Sequence, residues 1–292
     1  MQSNNPVFRR SEEFNRPGMN AYGNQTYAGN GATHSGYGTD PSTWGTGAPG
    51  EVYSAKPDQG GVMTIDSVVQ KTAMSLGVVF VAAFATWFLT PDLRDFGASL
   101  GPLYAALMIG GFGAFALSMV NSFKRVVSPA LVLAFCALEG VSLGAFSKII
   151  EALYVQPGQG SIVVQAVIGT FAAFAGTLAA YKFLNIRVGD KFRTFVMAAM
   201  FGMVALGLLE MVLSVFGSAL GVFGFGTIGL VFAIAGLALG VFMLILDFDF
   251  VEQGIANGLP ERESWRAAFA LTVSLVWIYT NLLRILAILR GD

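Results

Sequence analysis

Charge is what this sequence has least of. Only 12% of its 292 residues are Asp, Glu, Lys or Arg, about half the share of an ordinary soluble domain. The 17 basic and 18 acidic residues leave a net charge of −1, which excludes the broad basic face of a nucleic-acid binder. A single cysteine, Cys136, excludes a disulfide within the chain. A single histidine, His34, excludes multi-histidine metal sites and an intramembrane Ser–His dyad. No ligand cluster surrounds His34, so it reads as a solvated side chain. No early apolar core follows a basic start, so no cleaved signal peptide is expected, and the first span serves as its own insertion signal. What is abundant is apolar, 54% of the chain. That is the composition of an integral membrane protein.

The composition changes along the chain. Residues 1–62 are rich in Gly, Asn, Ser, Thr, Tyr and Pro. So little aliphatic surface does not offset the entropy of ordering, and the segment reads as a disordered tail. From there to residue 292 the chain reads as one all-α membrane domain. Seven apolar blocks, 70–90, 98–120, 129–150, 161–184, 194–216, 227–250 and 266–289, are each long enough to cross the hydrocarbon as a helix. Gly140–Gly144 and Gly236–Gly240 repeat small residues at the spacing that lets helices approach closely, which ordinary bundle packing explains. Ser128-Pro129 reads as an N-cap followed by proline in the first helical position. Pro157-Gly158 and Gly189-Asp190 mark turns.

Basic residues set the expected orientation. Of those near span ends, nine lie on the side of the N-terminus: Lys71, Lys124, Arg125, Lys182, Arg187, Lys191, Arg193, Arg262 and Arg266. Three, Arg94, Lys148 and Arg290, lie on the other. The expectation is a multi-pass protein of the cell membrane with the N-terminus cytoplasmic and the C-terminus outside.

Ionisable residues inside spans carry the functional signal, because an isolated charge in hydrocarbon is costly. Glu139 falls mid-way along span three, Glu210 in the outer third of span five, and Arg284 in the outer third of span seven. Asp247 and Asp249 fall at the cytoplasmic end of span six, on nearly opposite helix faces, with Asp249 and Glu252 expected to be hydrated. Ser274, Trp277, Asn281 and Arg284 follow helical steps of three, four and three residues, a polar stripe that favours an enclosed span seven. Glu210 and Arg284 sit at comparable depth, which predicts an ion pair, either a structural bridge or a gating contact. Cys136 reads as a small packing residue.

Two segments carry a family resemblance. Span three reads SPALVLAFCALEGVSLGAFS, with Gly140 and Leu143-Gly144 in a G-x-x-L-G pattern, and the C-terminal part runs LILDFDF through Asn281-Leu282-Leu283 and Ile285-Leu286. Over residues 64–290 the chain resembles the Bax inhibitor-1, or YccA-like, family, which carries the transmembrane Bax inhibitor motif. Its polar tail resembles that of an actinobacterial branch. The resemblance implies a seven-helix bundle with the last helix central and a pH-sensitive calcium leak. It also implies a proton sensor of two aspartates linked to a basic residue after span two. Asp247 matches the first aspartate, Lys124 and Arg125 are the basic candidates, and the second aspartate falls at or beside Trp277. With one carboxylate missing, a weaker pH switch displaced toward acid is expected.

Two functions follow as expectations. One is a cation leak in which Glu139, Glu210 and Asp247 supply oxygen ligands or fixed negative charge for calcium or protons, with Asn281 and Arg284 as gating residues. The other is a non-conducting protein that regulates stress responses or membrane proteases by binding membrane-protein partners. No cofactor and no enzymatic activity are expected, since the spans lack histidine, a GxGD motif and a Ser–Lys dyad. Span seven also offers no lysine for a retinal Schiff base.

Overall fold

The computed structural model describes residues 61–91, 100–156, 158–184, 186, 188–218 and 220–291. Of the tail expected over 1–62 only residues 61 and 62 fall within this range. His34, Arg94, Pro157 and Arg187 fall outside it.

Seven helices are long and apolar enough to cross a membrane: α1 (Ile65–Leu89), α2 (Gly101–Phe123), α3 (Pro129–Tyr154), α4 (Ile162–Phe183), α5 (Asp190–Val215), α6 (Thr227–Ala256) and α7 (Ser264–Gly291). A short turn of 3-10 helix, Glu261–Glu263, leads into α7. The protein is a multi-pass membrane protein whose helices pass alternately from a proximal end, where α1 begins, to a distal end.

Local chemistry sets the helix starts. Thr64 and Ser67 form a reciprocal cap: each side-chain oxygen accepts from the other's backbone N–H at 3.1 Å. This cap starts α1 five residues before the apolar block does. Ser161 caps α4 by accepting from Val164 N at 3.3 Å. Ser128 does occupy the cap position of α3 before Pro129, but its side chain makes no capping bond there. The far end of α1 is closed from outside the helix. Lys148 of α3 donates to the carbonyls of Trp87 and Thr90, each at 2.7 Å, an arrangement that favours a cation at a helix C-terminus.

Glycines bring α3 against its neighbours. A Cβ on Gly144 would lie 2.5 Å from the Ala83 carbonyl oxygen of α1, and one on Gly110 would lie 2.7 Å from Ser142 N. The 140–144 pair therefore seats α1 inside one molecule, as ordinary packing requires. The last helix is the hub, touching α1, α3, α4 and α6. Its most apolar stretch is 61% buried, against 6% for α5, where Val196 is the only residue counted as buried. α5 packs one narrow face, centred on Val196, against Leu239 and Met243 of α6, and polar contacts at its two ends add to this.

Candidate functional site

The polar stripe on α7 faces α6. Ser274 Oγ donates to Asp247 Oδ2 at 2.5 Å. One turn on, Trp277 Nε1 donates to the Gly236 carbonyl at 2.8 Å. The Asn281 amide occupies the space a side chain at Gly236 would need, 2.5 Å from the position of a Cβ, and its Nδ2 donates to Trp277 O at 2.8 Å. Gly236 and Gly240 are small because Asn281 and Ile278 lie against them.

At the distal end of the stripe, Arg284 Nη2 donates to the carbonyls of Val222 and Gly224, both at 3.1 Å, and reaches Gly229 O at 3.5 Å. Its guanidinium also lies 5.4 Å from the centre of the Phe223 ring. Glu210 accepts from the same connector, from Leu220 N at 3.0 Å and Gly221 N at 2.8 Å. The ion pair expected between Glu210 and Arg284 does not form. Each charge instead holds one side of the chain between α5 and α6, the carboxylate by its amides and the guanidinium by its carbonyls. Residue counting placed both groups at the right depth. It had no means of seeing that backbone dipoles stand between them.

The two aspartates of α6 diverge, as their spacing predicts, but Asp249 is not hydrated. It is buried, paired with Arg193 of α5 and bonded by Gln253 Nε2 at 2.8 Å. Beside it Glu252 accepts from Tyr181 OH at 2.5 Å. Nor do the basic residues after α2 reach Asp247. Lys124 is exposed, and Arg125 is engaged through its carbonyl by Arg266 at 2.8 Å. The α7 residue facing Asp247 is Ser274, one turn before the expected position at Trp277.

Glu139 stands apart from these groups. It is half-buried midway along α3 and makes no hydrogen bond or ion pair with any described residue. Cys136, one turn earlier, is fully buried as expected and lies within electrostatic reach of it. Across from Cys136 lies the Ser75 hydroxyl of α1, which is also fully buried. Among the described residues no three His, Cys, Asp or Glu side chains converge as a metal site would require. Glu139, Asp247 and Glu210 thus occupy separate places along the bundle.

Sequence reasoning missed the Arg193–Asp249 pair and the Lys148 cap. The signal for the first was available: Arg193 follows the Gly189-Asp190 turn by less than one helical turn, at the same end of the bundle as Asp249. A profile described as Bax inhibitor 1 like matches residues 5–291 of the chain. No curated protein matches it.

Proposed function

We propose, from the premise that this chain belongs to the Bax inhibitor 1 like family, that it is a cation leak protein of the cell membrane, permeable to calcium and modulated by pH. Its N-terminus is cytoplasmic and its C-terminus lies outside. The observation that carries this reading is Glu139, a carboxylate in the middle of a span with no protein partner among the described residues. A carboxylate so placed is stabilised by a passing cation.

The pH response is assigned to the contact between Asp247 and Ser274. A hydroxyl donating to a carboxylate contributes about 1.5–3 kcal/mol, more than the same bond to a neutral acceptor. When Asp247 takes up a proton the contact weakens, the proximal ends of α6 and α7 loosen, and the leak rises as pH falls.

The test is calcium entry into proteoliposomes as a function of pH. Asp247→Asn is expected to leak at every pH with little pH dependence. Ser274→Asp puts a second carboxylate where the hydroxyl now donates, and two carboxylates in contact share a proton, so the rise is expected at a pH about 1–2 units higher. A rise that survives Asp247→Asn unchanged moves the sensor elsewhere, with Glu210 next in line. No calcium entry at any pH in any variant favours the partner-binding reading.

A further inference from the structure

The ends of the bundle differ in how charge is compensated. At the proximal end cations meet carboxylates: Lys71 with Glu261 at 2.9 Å, Arg193 with Asp249, and Arg266 with Glu263 at 2.8 Å. At the distal end the described cations Lys148, Arg284 and Arg290 donate to backbone carbonyls and pair with no described carboxylate. The described carboxylates there, Glu151 and Glu210, accept from backbone amides.

Arg284 is the extreme case. The residue is 5% exposed, and its Nε is buried with no acceptor among the described residues. All three of its hydrogen bonds are made by Nη2, and Nη1 donates to no described residue. Carbonyl dipoles and a ring face soften a buried positive charge but do not neutralise it. The same guanidinium lies beside the N-terminus of α6, since Nη2 reaches Gly229 in its first turn. That terminus is bare: the cap residue is Gly226, no side chain caps it, and the first turn holds no acidic residue. The first amides of a helix have no partner within it and carry the positive end of its dipole. A buried guanidinium and an uncapped 30-residue helix therefore add positive potential at one place, and the acid that meets this connector, Glu210 of α5, is already held by Leu220 N and Gly221 N.

We infer that Arg284 and the N-terminus of α6 together bind a phosphate-type oxyanion at the distal face, supplied by an anionic lipid headgroup or from solution. Both sources present the same chemistry, oxygen atoms that accept from a guanidinium and from helix-terminal amides.

The test uses the full chain and reads its thermal unfolding midpoint. One arm titrates inorganic phosphate against chloride at constant ionic strength in phosphatidylcholine nanodiscs. The other arm replaces part of the phosphatidylcholine with phosphatidylglycerol in the absence of free phosphate. The midpoint is expected to rise saturably in at least one arm, and the arm that responds identifies the source. Arg284→Gln is expected to raise the half-saturating concentration about tenfold or more, which corresponds to losing one charge-assisted contact. Gly226→Asp supplies a carboxylate of its own at the cap and should also abolish the response. It leaves folding intact, because Gly226 is exposed, its backbone is extended, and nothing lies within 4 Å of an added Cβ. This second variant decides the matter alone where Arg284→Gln does not fold. No rise in either arm for the unmodified protein, or a rise that persists undiminished in Gly226→Asp, overturns the inference.

Discussion

Gly140→Val is expected to leave little folded protein. A Cβ at Gly140 would lie inside contact distance of the Val79 carbonyl oxygen and 2.7 Å from Ala82 Cβ. The first obstacle is helix backbone, which cannot rotate away as a side chain can, so α1 has to leave α3. With it go the Gly144 contact against Ala83 and the Lys148 cap on the end of α1. Overpacking of this kind costs about 3 kcal/mol or more, which for a bundle of this size lowers the unfolding midpoint by about 10 °C. Gly77→Ala is the control in the same span. Gly77 is exposed with nothing within 4 Å of an added Cβ, and alanine is favoured over glycine in a helix by about 0.5–1 kcal/mol. A midpoint that falls equally for the two variants would show that the helix pair is not seated as described.

Removing one partner of the Arg193–Asp249 pair is the second large effect. Asp249 is 9% exposed, and Gln253 is its only other described partner. Arg193→Leu therefore leaves a carboxylate enclosed without its counter-charge, at a cost of about 3–5 kcal/mol. The cost falls on the helix least able to bear it, since α5 has only Val196 buried along its length. The double variant Arg193→Leu with Asp249→Leu is expected to recover most of the loss, because two apolar side chains leave no charge behind. Thermal unfolding of the single and double variants reads this directly. Equal destabilisation in both would mean that the pair matters for shape and not for charge.

These contacts show what the sequence could and could not reveal. Span number was legible because crossing a membrane imposes a length of apolar chain that no other constraint imitates. Boundaries were less legible where polar residues belong to the helix. The first turns of α1 contain Asp66, Ser67 and Lys71, which an apolar count passes over. They are nonetheless helical, held by the Thr64 cap, by Ser67 against Ser264 at 2.7 Å and by Lys71 against Glu261. In the same way α6 runs on to Ala256, beyond the apolar block, because Asp249 and Glu252 have partners. Helix periodicity correctly separated Asp247 from Asp249 and aligned the stripe from Ser274 to Arg284. It gave faces, not neighbours. Which element each face meets depends on how the helices are arranged around α7, and that is a property of the whole bundle. The connector between α5 and α6 was illegible for a different reason. Its role rests on backbone amides and carbonyls, which every residue carries, so no residue pattern announces it.

Calcium uptake by proteoliposomes holding the unmodified protein or Glu139→Gln tests the central claim most directly, at a pH where the unmodified protein leaks and with matched amounts of folded protein. Glutamine keeps the size and polarity of the side chain and cannot ionise beside a passing cation. The account predicts uptake about tenfold slower in Glu139→Gln, equivalent to ~1.4 kcal/mol of lost cation stabilisation, with the unfolding midpoint unchanged or raised because no ion pair is broken. Uptake at the unmodified rate would contradict it.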